Sequence, residues 1–307
     1  MSADTADVTG ATSSAPPTAA SRGSARAGRG GRRGRGGRAV RRYAGLTVVI
    51  VYCLAPFYWM VVSAFRRPTD QFQLAALPHP WSVANFAAVF KPDVGFQRAL
   101  LNSVVVAGAT TALTLLVGVA AAYALARLEF RFKSLTAAVI IATSMFPGIS
   151  MVVPLLRLFT DLRWINTYQA MIAPSMSFAL PLAVWNLTAF FRQLPAELEQ
   201  AAMVDGCTRG QAFRKVIIPL AAPGVFTTAI ITFIAAWNEF IIALSMVNKK
   251  DMQTATVAIS RFTGAHGFDQ PYGTQMAAGV LVTVPLVAAV LVFQRRIIAG
   301  LTAGGVK

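Results

Sequence analysis

Four polar side chains sit inside stretches that are otherwise apolar: Asn102, Asn186, Asn238 and Glu239, with Trp237 beside the last pair. Polar groups in segments of hydrocarbon length face a bundle interior or a wet path. Trp237 offers a flat surface on which the apolar face of a sugar ring stacks, so the five residues form a candidate solute path. Each asparagine serves equally well as a hydrogen-bonding group between helices. Glu239 is the hardest to bury and therefore has a role, either toward a solute or as an ion-pair partner for a neighbouring subunit. Covalent chemistry is a poor fit. Ser144, Ser150, Ser175 and Ser177 have no His or Lys within the spans to activate them. His79 and His266 fall in loops, so no metal cluster is visible. No G-x-x-x-x-G-K-[ST] phosphate cradle occurs, so ATP chemistry, if any, belongs to another chain.

These residues need elements to hold them, and the composition says which. The 307-residue chain is 55% hydrophobic and only 13% charged, with mean hydropathy +0.57. Crossing about 30 Å of hydrocarbon takes roughly 20 helical residues. Six stretches qualify: about 44–64, 99–126, 135–158, 168–191, 221–247 and 276–293. Helices are expected because backbone polar groups in lipid must be satisfied within each segment. The ten-residue alternation of barrel strands is missing. The fold class is therefore all-α, a polytopic membrane protein with six transmembrane helices. Pro147, Pro154, Pro174, Pro181 and Pro285 interrupt spans three, four and six, and "MFPGISMVVP" reads as a kinked or unwound helix. Cys53 and Cys207 read as free thiols.

Charge gives the orientation. Nine Arg against two Asp place +7 of the net +16 in residues 1–42. This Gly/Arg-rich tail cannot bury a core and reads as disordered. It serves as a solvated topogenic tail, or it meets anionic head groups or RNA as an accessory property; no specific nucleic-acid partner is expected. With the N-terminus cytoplasmic, 19 basic residues lie inside and nine outside; without the tail the bias is ten to nine. Both termini are then cytoplasmic. The domains are the tail (1–42), a six-helix transmembrane domain (43–294) and a cytoplasmic C-terminal tail (295–307).

One long polar stretch, 192–219, separates spans four and five on the cytoplasmic side. "LPAELEQAAMV" opens with Pro195 and carries Glu197 and Glu199 near the positive end of a helix dipole. Asp205–Gly206 ends that helix, and Thr208 with Gln211 makes a capping box for the next. Phe213, Val216 and Ile217 fall at helical spacing, Arg214 and Lys215 face elsewhere, and Pro219 stops the run. A helix–turn–helix of this kind fits a groove on another protein or lies on the lipid surface.

The spacing Gln200-Ala201-Ala202, three residues, Gly206, nine residues, Val216-x-Ile218-Pro219 resembles the EAA loop of bacterial ABC importer permeases. "ANFAAVF", "NSVVVAGATT", "AAYALARLEFR", "AWNEFIIALS" and "FQRRIIAGLTAGGVK" are similar to the carbohydrate branch, in particular to the smaller maltose-importer permease. "FRKVIIPLAAPG" and "SRFTG" resemble permeases of actinobacterial trehalose importers. The resemblance implies a coupling helix docking into a cytoplasmic ATPase through Glu199, Gln200, Ala201, Ala202, Asp205, Gly206 and Pro219. Gly300, Gly304 and Lys307 would contact it at the C-terminus. Gln200 stands where the motif has Glu, which replaces a salt bridge by a neutral hydrogen bond. The implied assembly is a second permease, two ATPase copies that bind ATP and Mg²⁺, an extracytoplasmic sugar-binding protein and the bilayer. This chain itself carries no cofactor, lies in the bacterial cell membrane and is not an enzyme. A secondary transporter is the rival reading, although internal repeats and a titratable relay beyond Glu239 are not evident.

Overall fold

Residues 31–262 and 271–305 are described by a computed structural model, with side chains over 41–262 and 271–294. His266 and Lys307 lie outside the described residues. Two units divide the chain, 1–54 and 55–307. In the first, the described part is the N-terminal portion of helix α1 (Gly31–Ala64), with exposed apolar side chains from Leu46 to Leu54. The second unit carries all packing discussed below.

Its helices follow in order: α2 (Ala84–Val89), α3 (Phe96–Arg127), α4 (Lys133–Ser144), α5 (Val152–Asp161), α6 (Tyr168–Gln193) and α7 (Ala196–Val204). Then come α8 (Arg209–Ala212), α9 (Ile218–Trp237), α10 (Ile241–Met246), α11 (Ala255–Ser260) and α12 (Tyr272–Gly305). Among the described residues no strand occurs.

Five continuous helical segments are long and apolar enough to cross a membrane: Arg41–Ala64, Phe96–Arg127, Tyr168–Gln193, Arg209–Trp237 and Tyr272–Gln294. The third span is broken at "MFPGISMVVP", where a kinked or unwound helix is expected. Lys133–Ser144 and Gly148–Asp161 meet at 89°. Pro147 causes the break: its extended ψ of 123° and the bias it places on the preceding residue stop α4. Two expectations are corrected. The fifth span stops at Trp237 rather than 247, because the chain turns at residues 238–240 before α10. Pro219 does not stop the second helix of the polar stretch. A π-helical turn over Phe213–Ile217, with the Ile218 N–H bonded to the Phe213 carbonyl, leads into α9, and Pro219 sits in the first turn of α9, where a missing N–H is tolerated.

The centre is α3, α6 and α9. Val106, Thr110, Thr114, Gly118 and Ala122 recur every four residues along one buried stripe of α3. Small side chains on such a stripe let helices approach closely, and contact replaces the hydrophobic drive that lipid does not supply. Gly118 lies against Ala183, Val184 and Leu187 of α6. Because Asn102 meets Tyr168 at one end and Arg127 meets Leu194 at the other, α3 and α6 run in the same direction. α9 runs the opposite way, pairing Ala236 and Trp237 with Ala107 and Ile217 and Ala221 with Ala122. At Gly224 the ring of Phe190 lies where a Cβ would be, 2.4 Å from its ideal position.

Candidate functional site

The polar stretch folds as two short arms. Pro195 is the residue before α7, not its first helical residue. Glu197 and Glu199 lie in the first turn of α7, as the dipole favours. At the far end the Cys207 N–H donates to the Ala202 carbonyl (2.9 Å) and the Gly206 N–H to that of Met203 (3.1 Å). That pair of bonds is a Schellman stop with Gly206 in the left-handed position at φ +90°. Thr208 and Gln211 then exchange the two bonds of a capping box, 2.9 and 3.3 Å, opening the second arm. Gln200, Ala201, Asp205, Gly206 and Pro219 are exposed, while Ala202 is buried. Leu198, Ala201 and Val204, spaced by three, give α7 an exposed apolar edge on which Val204 is 87% accessible. Arg214 and Lys215 point outward from the π turn, and Ala212 and Ile217 point inward.

Glu199 turns away from that edge. It is buried, its Oε1 accepts the Tyr123 hydroxyl at 2.5 Å, and its Oε2 lies 3.9 Å from Arg127 Nε. The Arg127 Nη2 donates to the Leu194 carbonyl at 2.6 Å, where the chain leaves α6. The Tyr123 ring also packs on Phe213 of the second arm, with centroids 4.3 Å apart, and edge-on to Phe191 at 6.2 Å. Tyr123 and Arg127 were not singled out by sequence reasoning as site residues. A Tyr and an Arg four apart, on one face at the end of a long helix, were the available signal.

The five intramembrane residues do not form one cluster. Asn102 donates to the carbonyls of Asp251 and Gln253 (2.9 Å each) and accepts from the Tyr168 hydroxyl (2.8 Å). It is a clamp between α3, α6 and the loop before α11. Trp237 is buried against Ala107 and stacked on Phe233 at 5.6 Å, and among the described residues its N–H has no partner. Asn238 bonds back to the Ile234 carbonyl at 2.8 Å. The Glu239 carboxylate accepts the backbone N–H groups of Ile242 (2.7 Å) and Ala243 (3.0 Å), capping α10. Glu239 also lines a cavity of about 160 Å³ with Ser175, Thr232 and Ile242. Asn186 is half-buried on α6 and makes no side-chain hydrogen bond among the described residues. Gly300 and Gly304 lie on the last turns of α12. Among the described residues no group of three or more His, Cys, Asp or Glu could hold a metal.

Residues 114–302, which include both arms and the break after Trp237, match the family described as the binding-protein-dependent transport system inner membrane component. The chain belongs to this family. It is a multi-pass cell-membrane protein, the permease subunit of an ABC transporter, and not an enzyme. Among its relatives is the trehalose transport system permease protein of Mycobacterium tuberculosis, 45% identical over 262 residues, which are 85% of this chain and 95% of that protein. The trehalose/maltose permease of Thermococcus litoralis is 39% identical over 86% of this chain and 95% of its own length. The sulfoquinovosyl glycerol permease of Agrobacterium fabrum is 38% identical over 87% and 93%. A chain in the crystal structure of a bacterial ABC transporter that imports alginate has the same fold, with TM-score 0.72 at 18% identity, over 84% of this chain and 95% of that one.

Proposed function

We propose that this permease forms half of the path of an ATP-driven importer for a disaccharide of the trehalose or maltose kind. The carrying observation is the two-armed elbow. Its stop at Gly206 and the exposed Gln200 and Ala201 of its first arm fall on residues whose spacing matches the EAA loop. In this reading the elbow and both termini face the cytoplasm. Gln200, Ala201, Asp205 and Gly206 meet a cleft on an ATPase subunit, and Gly300, Gly304 and Lys307 add a second contact. A second permease brings a second elbow, so two ATPase copies are served, and those copies hold ATP and its Mg²⁺. The connections 65–95 and 248–262 then face outside, toward a sugar-binding protein. ATP-driven closure of the ATPase pair shifts the bundle between inward- and outward-open states, provided the elbow contact differs in energy between them.

For the sugar, two relatives that carry trehalose in their names support the reading. The 160 Å³ cavity beside Glu239 is smaller than the roughly 300 Å³ at which ligand pockets begin. This chain therefore supplies one wall of the path, with Glu239 on it, and Asn102 and Trp237 stay with the scaffold. Co-reconstitution with the second permease, the ATPase and the binding protein, followed by uptake of labelled trehalose and maltose, tests the proposal. Uptake that requires ATP inside the vesicle is expected. Uptake by this chain alone, driven by an ion gradient, would replace the reading with a secondary transporter.

A further inference from the structure

The elbow is held from inside by two side chains of α3, Tyr123 and Arg127, and nothing in the docking reading accounts for them. A carboxylate in the polar stretch would ordinarily stay in water; Glu199 instead is only 8% exposed. Both its oxygens face α3, one at the Tyr123 hydroxyl and one toward Arg127. The same Arg127 holds the Leu194 carbonyl, fixing the point where the chain enters the first arm. The Tyr123 ring bears on Phe213 in the second arm. One turn of α3 thus grips the elbow at its start, in its first arm and in its second.

We propose that Tyr123 and Arg127 are positioning residues that lock the elbow to α3 through Glu199, so that displacement of the elbow moves α3 with it. This rests on the reading that the elbow meets an ATPase. Glu199 is the inward anchor, and docking is left to the exposed edge of Leu198, Ala201 and Val204 with Gln200. A charge-assisted hydrogen bond in a dry setting is strong enough to decide whether the arms follow α3 or slide on it.

Two measurements separate the lock from the docking. In the full-length chain in lipid nanodiscs, without any partner, amide hydrogen exchange across 196–217 is compared among wild type, Tyr123→Phe, Glu199→Gln and the double variant. About tenfold faster exchange is expected in each single variant. The double variant is expected to add little, because both changes release the same bond. Unchanged exchange in both single variants overturns the lock, whatever the elbow binds.

In the assembled transporter, ATP hydrolysed per sugar imported is measured beside the yield of the complex. The ratio is expected to rise about tenfold with assembly intact. A purely structural role would lower membrane level and yield and leave the ratio alone, which overturns transmission through the lock. If the wild-type chain captures no ATPase at its elbow, the docking reading fails, and with it the transmission claim. The exchange measurement still decides whether the lock exists.

Discussion

At Gly206 nothing lies within 4 Å of the place a Cβ would occupy, so a side chain there meets no neighbour. The constraint is the backbone, at φ +90°. An ordinary residue in the left-handed region costs about 1–2 kcal/mol, and a β-branched one more. Gly206→Val is expected to insert normally yet lower uptake at least tenfold, with Gly206→Asn the mildest replacement; uptake normalised to membrane level checks both. Asn102 makes a second residue-scale prediction. Asn102→Ala strands two carbonyls and the Tyr168 hydroxyl, and is expected to lose about 1–3 kcal/mol of stability, read as a lower thermal midpoint in detergent. The sequence showed that Gly206 ends a helix, since Asp-Gly before a capping box says so locally. It could not show where Asn102 points, because its partners lie about 150 residues away in a loop. The direction of Glu199 was hidden for a related reason: it depends on the rotation of α7 against α3.

Spans were legible where the apolar run is unbroken, as for Phe96–Arg127 and Tyr168–Gln193. Pro174 and Pro181 did not break α6, because buried neighbours hold it, whereas Pro147 followed by Gly148 did break the third span. Hydropathy cannot tell these cases apart, since it counts side chains and not backbone bonds. The end of α9 was hidden similarly: residues 241–246 are as apolar as those before the turn. The packing of α6 on α9 makes the prediction at this scale. Gly224→Leu would drive a side chain into the Phe190 ring and is expected to cost about 1–3 kcal/mol. Adding Phe190→Ala should restore part of it, a coupling that a thermal double-mutant cycle measures.

For the whole molecule, topology is the property that charge counts alone leave nearly balanced outside the tail. A variant with Cys53 and Cys207 replaced by Ser and Gln200 replaced by Cys carries one thiol, on the exposed side of α7. It is expected to react with an impermeant maleimide in inside-out vesicles and stay unmodified in intact cells. Labelling of intact cells would invert the topology and remove the ATPase from reach of the elbow. The second arm and the fifth crossing form one helical run of 29 residues, Arg209–Trp237. At 1.5 Å per residue such a rod is about 44 Å long. Tilting it by 10° about one end sweeps the other through about 8 Å by the same geometry. The turn at 238–240, which contains Glu239, lies at the tip of that sweep, so in the proposed importer a small rocking motion at the base would be amplified at the wall that Glu239 lines.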